Sequence, residues 1–230
     1  MTPARRRVVA ELADLAAAVR VPHPARVAVD GVDAAGKTTL ADELARELER
    51  RGREVVRASV DGFHRPAAER YVLGRDSPLG YYRDSFDYDA LRRLVLEPLG
   101  PGGDRRYRAA AYDSYADSRV DVPERTAAAD AILVVDGVFL GRPELAGCWE
   151  LRIFLELDEA ESVRRGAARD AWFLGGEEDA RARYERRYAP GQRLYLATGA
   201  VESADVVVDA ADPASPRILR RPPGPVDSRR

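Results

Sequence analysis

Two patterns of apolar and polar positions alternate along this 230-residue chain. The runs "RVAVD" (26–30), "EVVRASVD" (54–61), "AILVVDG" (131–137), "LRIFLELD" (151–158) and "ADVVVDA" (204–210) are short, apolar and β-branched, which predicts strands. The near-continuous run at 131–137 has the character of a strand covered on both faces. Between these runs the period lengthens. Leu40, Leu44 and Leu48 recur at i, i+4, i+8 within 38–51, and Gly52 stands where a helix C-terminal cap belongs. Residues 87–99 predict a helix ended by Pro98, and 159–173 an arginine-rich helix broken by "GGEED" (175–179). Residues 180–197 start helical, with an interruption expected at Pro190-Gly191. Residues 62–86 predict a long loop, and 101–113 a turn followed by an extended piece. The first twenty residues begin basic and turn apolar. Glu11 and Asp14 interrupt the apolar run, so an amphipathic helix is expected there, not a signal peptide.

Strands alternating with helices predict an α/β fold, a five-stranded parallel sheet sandwiched by helices. With no internal repeat and no second core, the expected organisation is an N-terminal helix in 1–25, one domain over 26–210, and a disordered Pro/Arg-rich tail over 211–230.

Composition narrows the function classes. A hydrophobic fraction of 45% and a charged fraction of 33% suit a globular domain. A net charge of −2 offers no basic field for nucleic acid. Cys148 is the sole cysteine, which excludes an intrachain disulfide and suits a reducing compartment. With only His23 and His64 besides, a structural zinc site is not expected. No run approaches ~20 uncharged apolar residues, so neither a membrane span nor a membrane partner is expected, and the cytoplasm is the expected location. One feature stands apart: of 37 basic residues, Lys37 alone is lysine.

Lys37 sits in "GVDAAGKT" (31–38), which fits G-x-x-x-x-G-K-[ST] between a predicted strand and a predicted helix. Glycines at 31 and 36 let the backbone curl so that successive N–H groups of Asp33, Ala34, Ala35, Gly36, Lys37, Thr38 and Thr39 can face phosphate oxygens. The following helix adds the positive end of its dipole. Lysine supplies a compact charge on a flexible stem for the β- and γ-phosphates, a role the planar guanidinium does not reproduce. Thr38 offers a hydroxyl to Mg²⁺. A P-loop fold binding ATP and Mg²⁺ is therefore expected.

Such a site also needs carboxylates beyond the strand ends. Asp61 and Asp136 each follow a predicted strand. One suits Mg²⁺, and the other suits accepting a proton from an attacking hydroxyl. Either would equally suit capping a turn. The arginines of 164–170 and 181–193 suit a mobile lid over the phosphates, spanning about 165–193. They also suit a solvated helix face.

The P-loop, "SVDGFH" (59–64), "SFDYDAL" (85–91), "YDSYADSR" (112–119), "VVDGVF" (134–139), "RRGAARD" (164–170) and "ADVVVD" (204–209) together resemble the uridine kinase family of P-loop kinases, near phosphoribulokinase and bacterial pantothenate kinase. The resemblance runs from about Arg26 to Asp209. It implies that Asp61 is the general base on a sugar 5′-hydroxyl, and that Phe86 and Asp87 form a pair whose aspartate holds ribose hydroxyls. It implies further that Tyr112 contacts the nucleoside, that Asp136 lies near Mg²⁺, that Arg165 and Arg169 are lid arginines, and that the protein forms homo-oligomers. Two positions depart from the pattern. Asp117 stands where pyrimidine nucleoside kinases carry a base-reading histidine, and Arg183 falls at a base-reading glutamine. These side chains present different donors and acceptors. Asp117 and Arg119 remain candidate acceptor contacts. His64 suits either the acceptor pocket or a backbone hydrogen bond, and Tyr71, Tyr81 and Tyr82 suit either base stacking or loop packing.

The expected function is an ATP- and Mg²⁺-dependent kinase acting on a small-molecule hydroxyl, foremost the 5′-hydroxyl of a nucleoside. A non-nucleoside acceptor and an ATP-binding regulator without chemistry stay open.

Overall fold

A computed structural model describes residues 1–222. In chain order the elements are α1 (Pro3–Ala18), β1 (Ala25–Gly31), α2 (Lys37–Arg50), β2 (Val55–Ser59), α3 (Ala67–Arg70), α4 (Pro78–Asp84) and α5 (Tyr88–Leu91). Four two-residue strands follow, β3 (Arg106–Tyr107), β4 (Tyr112–Asp113), β5 (Ser118–Arg119) and β6 (Arg125–Thr126). The chain then runs through β7 (Ile132–Asp136), β8 (Leu151–Glu156), α6 (Glu159–Leu174), α7 (Glu177–Arg183), α8 (Ala189–Leu196), β9 (Val206–Asp209) and β10 (Arg217–Arg220).

The main sheet has the order β10-β9-β8-β1-β7-β2. Every pairing is parallel except β10 with β9. All seven residues of β1 and all five of β7 are buried, as their apolar runs require in a sheet covered on both faces. Leu40, Leu44 and Leu48 line the buried face of α2, and burying each contributes about 2 kcal/mol. Gly52 has φ +80° just past the helix end, the left-handed cap its position predicts. The N-terminal helix shares this core. Thr2 caps α1 by accepting from Arg5 N, Val9, Leu12, Ala13 and Ala16 are buried, and Arg5 Nε pairs with Glu43 of α2 at 2.7 Å.

The sheet has six strands, where five were expected. The sixth lies in the expected disordered tail, because the unpaired edge of β9 accepts a partner strand there. Ile218 packs against the core and Arg217 Nη2 donates to Asp209 Oδ2 at 2.7 Å. Residues 223–230 of that tail lie outside the described residues. Residues 62–86 are not a bare loop; they hold the end of a 3₁₀ turn (Val60–Phe63), α3 and α4. Nor does Pro190 end its helix. A π-helical turn at Tyr184–Tyr188 immediately precedes it and Pro190 falls in the first turn of α8, where a missing N–H and a fixed φ are tolerated.

Candidate active site

The carboxyl ends of β1, β7 and β2 lie side by side, and each delivers one part of a cleft of about 1080 Å³. From β1 the chain turns at Gly31, whose φ is +146°; a Cβ there would stand 2.5 Å from the Leu155 carbonyl oxygen of β8. Ala34 (φ +55°) and Gly36 (φ +88°) continue the curl into α2. Gly36 is the N-cap of α2 and supplies no side-chain cap, so the first N–H groups of this fourteen-residue helix are left for an anion.

Lys37 opens α2 and is only 9% exposed. Its Nζ donates to the Val32 carbonyl at 2.7 Å, folding the side chain back over the loop. Burial pulls its pKa down, while Asp33, Asp30 and Asp61 pull it up. Desolvation and three nearby carboxylates leave a cation that gains on meeting phosphate.

Asp136 ends β7 and is buried. Its Oδ2 accepts from Thr38 Oγ1 at 2.5 Å and its Oδ1 from Arg57 Nη2 at 2.9 Å. Arg57 sits on β2 opposite Val134, donates to its carbonyl at 2.7 Å, and also pairs with Asp42. Sequence reading missed Arg57. Its signal was a charged residue in the middle of an apolar strand.

Asp61 sits on the 3₁₀ turn after β2, exposed at the cleft wall. Burial pushes its pKa above the usual carboxylate range; the His64 imidazole draws it back and Asp136 adds to the rise. His64 Nδ1 lies 2.8 Å from the Asp61 carbonyl. A carbonyl only accepts, so Nδ1 carries a proton. Burial lowers the His64 pKa, and the neighbouring Asp61 carboxylate pulls it back up. That ring lies against Phe86, with centroids 4.6 Å apart.

The P-loop is tied to the far side of the molecule through Asp33. Tyr81 Oη donates to its carboxylate at 2.9 Å, Gln192 Nε2 at 3.0 Å, and Ser162 Oγ donates to its backbone carbonyl at 2.7 Å. Tyr81 belongs to α4 and Gln192 to α8. Gly191 permits this approach, since a Cβ there would meet Tyr81 Cδ1 at 2.6 Å. Neither Tyr81 as a carboxylate donor nor Gln192 was legible, because the contacts join residues 48 and 159 positions apart.

The remaining predicted residues divide. Asp33, Ala34, Gly36, Lys37, Thr38, Thr39, Asp61, His64, Phe86, Asp117, Asp136, Arg165, Arg169 and Arg183 line the cleft. Gly31, Ala35, Asp87, Tyr112 and Arg119 are not among its lining residues. Asp87 instead caps α5, its Oδ1 accepting from Ala90 N at 2.9 Å. Asp117 Oδ1 takes three donors: Ala67 N at 2.8 Å, Tyr112 Oη at 3.0 Å and Arg70 Nη2 at 3.1 Å. The backbone N–H, then Tyr112 and Arg70, hold this carboxyl below its ordinary pKa. The arginines are likewise engaged within the protein. Arg165 donates to Glu161 (2.6 Å) and to the Ala210 and Ala211 carbonyls (3.0 and 2.6 Å). Arg169 makes two bonds to Asp170 (2.7 and 2.9 Å) and one to Tyr184 (3.0 Å), and Arg183 pairs with Asp76 at 2.8 Å.

The donors suit Mg²⁺. Thr38, Asp136 and Asp61 offer hard oxygens in one cleft. Among the described residues no cluster of three or more metal-binding side chains forms a cage. An ion held by one or two carboxylates, water and substrate phosphates has no need of one.

A glycine-curled anion loop running from a central parallel strand into a helix, with a buried lysine and carboxylates at the adjacent strand ends, defines a P-loop fold. No protein-family model matches the chain. Over 190 residues it is 25% identical to uridine-cytidine kinase B of Dictyostelium discoideum, covering 81% of this chain and 74% of that one. Over 153 residues it is 28% identical to a uridine kinase of Leuconostoc citreum (strain KM20), covering 64% and 69%. Its fold matches that of a possible uridine kinase from Bacillus stearothermophilus with a TM-score of 0.69 at 21% identity, over 88% of this chain and 97% of the other. The chain is thus similar in sequence to uridine kinases and shares the fold of P-loop kinases. Among the described residues no helix is long and apolar enough to cross a membrane.

Proposed function

We propose that the protein transfers the γ-phosphoryl group of ATP, with Mg²⁺, to a hydroxyl of a small acceptor. The observation that carries this is Asp61, open to the same cleft as Lys37, Thr38 and Asp136. Lys37 and the α2 N-terminus hold the donor's phosphates. Thr38 and Asp136 would hold Mg²⁺, which would supply charge neutralisation on the phosphate oxygens. Asp61 accepts the acceptor's hydroxyl proton as that oxygen bonds to the γ-phosphorus. The bond from phosphorus to the β–γ bridging oxygen breaks, and its electron pair leaves with ADP. The raised pKa of Asp61 makes it a stronger base than an ordinary carboxylate. Arg165 and Arg169, on α6, exchange Glu161 and Asp170 for phosphoryl oxygens as the segment about 165–193 closes.

The names of the relatives support a nucleoside 5′-hydroxyl as acceptor. A second reading, a non-nucleoside hydroxyl compound, is favoured by the residues of the acceptor wall. Asp117 Oδ1 is engaged by three internal donors, and Asp87 and Tyr112 are off the cleft wall. Purified protein with ATP, Mg²⁺ and a panel of nucleosides, sugars and hydroxy acids decides between them. A phosphorylated nucleoside supports the first reading and another phosphorylated acceptor the second. Absence of any acceptor-dependent ADP formation would refute phosphotransfer.

Arg57→Met should raise the Mg²⁺ concentration for half-maximal activity about tenfold or more, because Arg57 orients Asp136 from behind. A magnesium titration checks this, and an unchanged midpoint would remove Arg57 from the metal's surroundings.

A further inference from the structure

One wall of the cleft carries more positive charge than its own carboxylates balance. Tyr71, which lines the cleft, has three guanidiniums around its ring: Arg75 at 4.8 Å, Arg187 at 5.1 Å and Arg70 at 5.4 Å from the centroid. Arg183 lines the same cleft. Two carboxylates answer these four cations, Asp117 beside Arg70 at 3.1 Å and Asp76 beside Arg183 at 2.8 Å. Among the described residues Arg75 and Arg187 have no carboxylate partner, and Arg75 makes no side-chain hydrogen bond either.

Arg187 explains itself. It is 3% exposed and donates to the carbonyls of Gly74, Arg75 and Ser77 at 3.4, 2.9 and 3.2 Å. Those bonds fix the segment that carries Arg75. Burying a cation without a counter-charge is unfavourable, so the segment is held in place at an energetic cost. What it presents is an exposed guanidinium on an aromatic ring at the cleft wall. Arg70 adds a buried neighbour: it is 9% exposed, shares Asp117 with two other donors, and its Nε has no partner. Guanidiniums in a concave site focus a positive potential and match the planar fork of a carboxylate or the oxygens of a phosphate. A neutral nucleoside or sugar would leave that potential unanswered.

We propose that the acceptor carries an anionic group, a carboxylate or a phosphate monoester, besides its reacting hydroxyl, and that Arg75 and Arg70 receive that group. The inference rests on the phosphotransfer reading and selects the second of the two acceptor classes. The anion docks on the wall formed by residues 70–75 and 114–117, in the cleft into which Asp61 opens. Asp117 then sets how Arg70 is aimed, which gives the replacement of a base-reading residue by a carboxylate a physical reason.

The test is calorimetry on the full chain with the P-loop filled by a non-hydrolysable ATP analogue and Mg²⁺. Titrants are hydroxy acids, sugar phosphates, and the neutral polyols and nucleosides of matching size. At least one anionic compound should bind tenfold or more tighter than its neutral counterpart, and whether it comes from the acid or the phosphate arm identifies the group. Arg75→Gln should abolish that preference and Arg75→Lys restore part of it. In turnover assays the same Arg75→Gln change should raise the acceptor KM about tenfold and leave the ATP KM in place. Neutral compounds binding as tightly, no anion binding, or anion binding indifferent to Arg75→Gln would each overturn the inference. A kinase that turns over neutral nucleosides best would overturn it and leave phosphotransfer standing. Arg75-dependent anion binding without turnover of any acceptor would do the reverse.

Discussion

Asp61→Asn lowers kcat by about 10²–10⁴-fold, the range by which a positioned general base accelerates proton transfer, and leaves ATP affinity nearly unchanged. Asparagine keeps the shape and the hydrogen-bonding reach but has no basic oxygen. The same substitution stabilises the fold, and the sign follows from linkage. Burial raises the Asp61 pKa in the folded state. Between the unfolded value near 3.8 and that raised value, the native state binds more protons than the unfolded one, so stability falls as pH rises through this window. At neutral pH the penalty of holding a carboxylate there is present in full, and asparagine removes it. Loss of turnover with a higher Tm is therefore expected, and wild-type kcat/KM should decline as pH falls through the raised pKa. Steady-state kinetics and thermal unfolding of the variant check both. Wild-type turnover in Asp61→Asn would remove the base, and a lower Tm would show that the carboxylate contributes structure.

Lys37→Ala should cost about 10²–10³-fold in kcat/KM, the loss found when one preorganised charge facing the transferring group is removed. Lys37→Arg should recover little of it. The lysine folds back on the Val32 carbonyl in a buried setting, a position for a compact ammonium that a planar fork does not reproduce. Kinetics of the two variants at saturating acceptor read the effect. Near-complete rescue by arginine would mean that net charge alone acts here. It would also reduce the chain's single lysine to a compositional accident.

Much of the fold could be read along the chain because its signals are local. Apolar runs of five to eight residues became β1, β7 and β8 with nearly their predicted bounds, since strands covered on both faces need uninterrupted hydrophobicity. The leucine period of α2 and the left-handed Gly52 followed from helix geometry alone. The P-loop was equally legible, because a loop of successive inward N–H groups needs glycine at 31 and 36. Readings failed where the deciding partner was distant. The strand at Arg217–Arg220 exists because β9 presents an edge, and nothing within "SPRILRR" announces an edge elsewhere. Pro190 looked like a stop because the π-turn that accommodates it carries no residue signature.

The site shows the same division. Sequence alone determined that this chain carries a phosphate-loop motif between a strand and a helix and that Asp61 and Asp136 emerge beyond strand ends, because both conclusions rest on short segments with fixed chemistry. Only the tertiary structure decided what surrounds them. It placed Arg57 behind Asp136, tied Asp33 to Tyr81 and Gln192, gave Asp117 to Arg70 and Tyr112, and turned Asp87 into a helix cap. A side chain's role depends on which polar groups reach it first. Those groups arrive here from positions up to 159 residues away, brought together by the sheet order and not by sequence spacing.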